Sequence, residues 1–203
     1  MLKLYGWKRS RAARCMWVME ELGLPYEQVP LNQMNGETRT PEYLAINPAG
    51  KIPTLVHDGF VLRETTAINL YLASQFPGTL MPRDPQDLAL LQQWSSWAIS
   101  DFEPTLITIV REGRRPQEHV DASRIAAARS EVHTMLATVL EPHLARQENI
   151  LTGPVFTLAD LNVAGAVSSA PMLDISLDQH PHIDRWLKRC LARPAWQRAQ
   201  QRS

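Results

Sequence analysis

The chain has little sulfur chemistry to offer: its 203 residues include two cysteines, Cys15 and Cys190, and no Cys-x-x-Cys pair. That excludes a dense disulfide framework and argues against dithiol redox chemistry of the thioredoxin kind. Each cysteine falls within a helical pattern, so both are expected as core thiols. Net charge is also missing. Lys plus Arg and Asp plus Glu both number 21, leaving no global field to recruit nucleic acid or an anionic membrane. No apolar run approaches the roughly 20 residues of a spanning helix, and the amino terminus lacks a signal-peptide apolar segment. A soluble, cytoplasmic protein acting on a small molecule is the expectation. Of the six histidines only His180 and His182 lie close together, and no acidic or thiol ligand follows at metal-like spacing, so no metal site is expected. Internal repeats and low-complexity tracts are absent as well.

What is present is enough apolar material, 44% of the chain, to bury a core in one or two domains. Leu2 to Tyr5 reads as a strand and Gly6 to Arg9 as a loop. A helix follows with the apolar stripe Ala12, Cys15, Met16, Met19 and Leu22, spaced for one face of a 3.6-residue period. Ser10 is its N-cap candidate, and Gly23 with Pro25 gives the stop signal. Tyr26 to Val29 reads as a second strand, parallel to the first because a helix joins them. A helical fragment at Pro41 to Ala45 precedes a Thr54 to Val56 strand, an Asp58-Gly59 hairpin turn, a Phe60 to Leu62 strand and a helix from Glu64 to Gln75.

Pro53 cannot donate to a ladder, so it belongs at an edge or bend, where a cis peptide is one option and neighbouring backbone groups are free to meet a ligand. The order is a βαβ unit followed by a ββα unit. Residues 76 to 85 hold Pro77, Gly78, Pro82 and Pro85, the densest breaker cluster, and mark a boundary. Beyond it only helices are expected: one from Asp84-Pro85 to about Arg111 with a bend at Pro104, then roughly 119 to 146, 157 to 169, 181 to 192 and 194 to 201. Thr157 and Asp160 have capping-box spacing, read as helix initiation. Trp94, Trp97, Trp186 and Trp196 read as core anchors.

Ser10 carries the sharpest chemical reading. It lies where the first loop becomes the first helix, so its hydroxyl and the first-turn amides face the same space, where a bound thiol would be favoured as thiolate. Capping alone is the plainer alternative.

Five strings in register, LYGWKRSRAARCMWVMEELGLPYE, NPAGKIPTLV, RETTAINLYLA, VFTLADLNVAG and RPAWQRA, resemble the glutathione transferase family over nearly the whole chain. The resemblance implies an α/β plus all-α architecture. Residues 1–76 would form a thioredoxin-like glutathione-binding domain, 77–85 a linker, and 86–203 a helical domain contributing the second-substrate pocket. It makes the chain similar to serine-type, bacterial-like cytosolic members, with Ser10 activating the sulfur of the co-substrate glutathione. Glu64 and Thr65 would hold the γ-glutamyl end. Ile52 would offer its backbone to the cysteinyl unit, oriented by Pro53, which is cis in the family. Arg39 or Lys51 would neutralise the glycyl carboxylate. Trp7, Ser100, Glu103 and Ile107 are candidates for the apolar pocket.

The chain departs from the family in having Thr65 where serine is commoner, and Arg11, Ala12 and Ala13 where many relatives carry a second polar residue. The implied reaction is thiolate attack on an apolar electrophile, in detoxification and as a homodimer. A non-catalytic binding module and glutathione-dependent isomerisation, dehalogenation or peroxide reduction remain open alternatives.

Overall fold

A computed structural model describes residues 1–151 and 153–202; Thr152 and Ser203, both within the expected helical domain, lie outside the described residues. The chain divides into two compact units: Met1–Met81 with the chain from Ala192 onward, and Pro82–Leu191.

The first unit is built in the order β1 (Leu2–Tyr5), α1 (Ala12–Glu21), β2 (Tyr26–Val29), α2 (Pro41–Ile46), β3 (Thr54–His57), β4 (Phe60–Arg63) and α3 (Thr65–Gln75). Its sheet has the strand order β2-β1-β3-β4, with β1 and β2 parallel and the other pairs antiparallel. This is the thioredoxin-like arrangement. The Asp58-Gly59 turn closes β3 onto β4 with φ of 49° and 88°, the double positive φ that a two-residue hairpin with matching twist requires.

α1 was expected to bury one stripe, yet every residue from Ala12 to Met19 is buried. The reason lies at the other end of the sequence. A last helix, here called the C-terminal helix (Pro194–Gln201), packs on α1 with Trp196 and Trp17 rings 4.8 Å apart. Arg193 grips Glu21 through two bonds of 2.6 and 2.8 Å, while Arg198 and Arg202 both reach Glu20. α1 is therefore covered on both faces, and residues expected in the helical domain pack with the sheet unit.

The second unit contains α4 (Pro85–Trp97), α5 (Glu103–Glu112), α6 (Ala122–Met135), α7 (Glu141–Leu144), α8 (Leu158–Val167) and α9 (Pro181–Leu191), which makes the C-terminal helix α10. Two expected long helices are each interrupted by a π-helical turn, Ala98–Phe102 and Leu136–Leu140. Each turn stands just before a proline in the next helix's first turn, Pro104 in α5 and Pro142 in α7. A proline lacks the N–H for the i−4 bond and crowds that carbonyl; widening the preceding turn accommodates both defects without ending the helix.

α8 is buried along its whole length. Its capping box is closed by Asp160, whose fully buried carboxylate accepts from the Thr157 N–H (3.0 Å) and hydroxyl (3.2 Å), the Ile150 N–H (2.8 Å) and the Trp186 indole (3.0 Å). Four donors offset the cost of desolvating one carboxylate. Trp94 and Trp186 are buried anchors, whereas Trp97 and Trp196 are half-buried. Cys15 and Cys190 are free and buried.

Candidate active site

Strand register brings the chemically interesting segments together. Thr54, the first residue of β3, stands opposite Tyr5 at the end of β1 and Arg63 at the end of β4. Hence the loop after β1, the Lys51-Ile52-Pro53 segment before β3 and the Glu64-Thr65 step after β4 all meet at one end of the sheet.

Gly6 is the floor of this meeting place. Its φ is 139°, and a Cβ there would lie 2.5 Å from Ala12 Cβ, 3.5 Å from Ile52 Cβ and 3.8 Å from Ser10 Oγ. Only a residue without a side chain lets the loop, the α1 start and Ile52 close in so tightly.

Ser10 is half-buried and sits one residue before the helix cap, which is Arg11 rather than Ser10. Its hydroxyl donates to the Trp7 carbonyl at 2.7 Å and accepts from the Ala12 N–H at 3.2 Å. The oxygen is thus held at the loop-to-helix junction, with its proton committed to the loop backbone.

On the second segment, the Ile52-Pro53 peptide is cis; Ile52 is half-buried and Pro53 buried. Lys51 and Arg39 are both exposed. Arg39 belongs to the same corner, because its Nη1 would lie 2.7 Å from a Cβ at Gly50, a residue with φ of 56°.

The third segment is conformationally unusual. Glu64 has φ 70° and ψ 122°, a region that costs a residue with a side chain about 1–3 kcal/mol. It occupies the cap of α3 without using its side chain as a cap, and its carboxylate is exposed. The first-turn amides of α3 and the positive end of its dipole therefore begin directly after Glu64. Thr65 is 7% exposed, and its carbonyl lies 4.0 Å from Cys15 Sγ, which ties the α3 start to α1. Burial pushes the Cys15 thiol well up, so this cysteine is an inert neighbour and not a nucleophile.

A carboxylate and helix-start amides at one end, cations at the other, and a hydroxyl beside exposed backbone between them suit an elongated zwitterionic ligand with a polarisable centre. Trp7 is half-buried in the Ser10 loop; in the helical unit Ser100 is exposed, Glu103 buried and Ile107 half-buried.

Residues that sequence reasoning passed over are Tyr43, Asn47 and Thr54, which bond to the Lys51 carbonyl and to one another beneath the second segment. Asn47 opens the string NPAGKIPTLV, but nothing in the spacing linked it to Tyr43.

The fold and this site define a two-part protein, a thioredoxin-like ligand-binding domain followed by a helical unit. Residues 1–74 match the model of the glutathione S-transferase N-terminal domain, and residues 102–194 match the C-terminal domain. The chain belongs to the glutathione S-transferase family. It is 34% identical to glutathione S-transferase 3 of Zea mays, with 97% of this chain and 92% of that protein aligned. The theta class glutathione S-transferase of Xanthomonas axonopodis pv. citri with glutathione bound superposes with a TM-score of 0.89 at 30% identity, covering 100% of this chain and 98% of that one. A glutathione transferase from Burkholderia graminis, with two glutathione molecules bound per subunit, gives 0.88 at 28% identity over 98% and 87% of the two chains. Among the described residues no helix is long and apolar enough to cross a membrane, and no group of three or more His, Cys, Asp or Glu is placed to hold a metal.

Proposed function

We propose that this transferase binds glutathione along the end of the sheet and uses its thiolate to attack an apolar electrophile. The observation that carries the reading is the register Tyr5–Thr54–Arg63, which gathers Ser10, Ile52-Pro53 and Glu64-Thr65. The γ-glutamyl ammonium pairs with Glu64, and its carboxylate takes the Thr65 hydroxyl and the first amides of α3. Ile52 offers backbone groups to the cysteinyl unit, and Arg39 or Lys51 neutralises the glycyl carboxylate. Ser10 donates to the sulfur, which stabilises the thiolate. Holding nucleophile and electrophile together then supplies proximity.

In this reading residues 1–76 bind glutathione, 77–85 link, and 86–203 contribute the electrophile pocket. The cytoplasm is the expected compartment and detoxification the expected role. Homodimer formation is part of the same reading, supported by Phe60 (50% exposed) and Val61 (41% exposed) on the outer strand β4. Sedimentation showing a monomer at working concentration would remove it.

A binding module without chemistry is the second reading, favoured by one observation: the Ser10 proton is already engaged by the Trp7 carbonyl. The two separate in a conjugation assay with an activated chloroarene. Glutathione-dependent release of chloride, saturable in both substrates, supports the enzyme; glutathione binding without any turnover across a panel of electrophiles and hydroperoxides supports the module.

A further inference from the structure

The Lys51 carbonyl is held by an unusually complete polar cluster. The Tyr43 hydroxyl donates to it at 2.6 Å and the Asn47 amide at 2.7 Å. The second Asn47 amide proton goes to Thr54 Oγ1 at 2.9 Å, and Thr54 Oγ1 lies 2.8 Å from the Tyr43 oxygen, so the hydroxyl of Thr54 donates to Tyr43 and closes the ring. Asn47 Oδ1 accepts from the Ala49 N–H at 3.1 Å, with Arg63 Nη1 at 3.5 Å. Tyr43, Asn47 and Thr54 are 4%, 1% and 0% exposed. Burial raises the Tyr43 hydroxyl's pKa, so it stays a donor at any working pH.

The direction of that carbonyl has a consequence one bond away. The Lys51-Ile52 peptide is trans, so its N–H points opposite to its C=O. With the carbonyl drawn into the cluster, the Ile52 N–H is turned away from the cluster. Among the described residues no group accepts from that N–H.

We infer that Tyr43, Asn47 and Thr54 are positioning residues for glutathione capture: they pin the Lys51 carbonyl inward and thereby present the Ile52 N–H to the ligand's cysteinyl carbonyl. This rests on the glutathione reading above. None of the three touches the ligand. They act by fixing a peptide plane that, with its carbonyl unpinned, would rotate and cost binding without altering the sulfur chemistry.

The test compares Tyr43→Phe, Thr54→Val and Thr54→Ser with the wild type. Glutathione affinity is read by calorimetry and KM for each substrate by the chloroarene assay. Losing one cluster hydroxyl should weaken glutathione binding and raise its KM roughly three- to tenfold. KM for the chloroarene should stay unchanged and kcat within about twofold, since the interaction lost is a binding one. Thr54→Ser keeps the hydroxyl and should match the wild type. Unchanged glutathione affinity in both Tyr43→Phe and Thr54→Val, or an equal rise in both KM values, overturns the inference.

Where the variants do not fold, amide exchange in the ligand-free wild type decides. The Ile52 amide should exchange freely and become protected on adding glutathione; an Ile52 amide protected without ligand overturns the inference. A wild type that binds no glutathione while its Ile52 amide exchanges freely rejects the glutathione reading, and the capture role with it, leaving the cluster geometry untouched.

Discussion

Replacing Ser10 by alanine probes the chemistry at its centre, and the structure sets the size of the effect. In the ligand-free protein the Ser10 hydroxyl proton goes to the Trp7 carbonyl at 2.7 Å. To serve a sulfur anion it must leave that acceptor. The exchange surrenders a neutral bond worth about 1 kcal/mol and gains a charge-assisted one worth about 1.5–3 kcal/mol. The net preference for thiolate is therefore about 0.5–2 kcal/mol, or roughly one pKa unit below the ordinary thiol value near 8.5.

Ser10→Ala should raise the pKa of the enzyme-bound glutathione thiol by about one unit. Spectrophotometric titration of the bound thiolate reads this directly, and the pH profile of kcat reads it kinetically. Below the wild-type pKa, kcat should fall about tenfold, with glutathione affinity changed by less than about threefold. At a pH above both pKa values the difference should largely disappear. Superimposable profiles would show that Ser10 is only part of the turn, and a loss of equal size at every pH would point to distortion of the loop instead of a lost sulfur partner.

Other expectations follow from the same geometry. Glu64→Gly should divide stability from function: relieving φ 70° should stabilise the free protein by about 1 kcal/mol in chemical denaturation, while loss of the carboxylate weakens glutathione binding roughly tenfold by calorimetry. Asp160→Ala leaves four buried donors without their acceptor and should cost about 3 kcal/mol or more in urea unfolding. His180, buried and 3.2 Å from His133, has its pKa lowered by burial first and by His133 second, with Glu141 opposing. Because the folded state disfavours that proton, stability should be complete above about pH 6.5 and decline below it. A His180→Gln variant should show a flatter melting profile between about pH 6.5 and 5, before the carboxylates titrate.

The sheet unit was legible because each local signal agreed with the fold. Leu2–Tyr5 and Tyr26–Val29 stand on either side of a helical stripe, and Asp58-Gly59 is the residue pair that a tight hairpin demands. Ser10 and Pro53 were readable as candidates from their places at boundaries between elements, whereas Ile52, Glu64 and Thr65 were candidates through the family resemblance. Three features were not legible. Burial of α1 on both faces depends on α10, more than 170 residues away, which no periodicity in α1 records. Of the two prolines preceded by π turns, the local pattern registered Pro104 only as a bend and did not register Pro142. The cluster of Tyr43, Asn47 and Thr54 joins a helix, its cap and a strand, so its members share no spacing at all.

The most direct measurement is calorimetric titration of the wild-type protein with glutathione, beside cysteinylglycine as a ligand lacking the γ-glutamyl group. Saturable binding of one glutathione per chain, with cysteinylglycine at least tenfold weaker for want of partners at Glu64 and the α3 start, is the predicted result. Absence of heat with glutathione at millimolar concentration, or equal affinity for the truncated peptide, would contradict a ligand lying from Arg39 across Ile52 to Glu64.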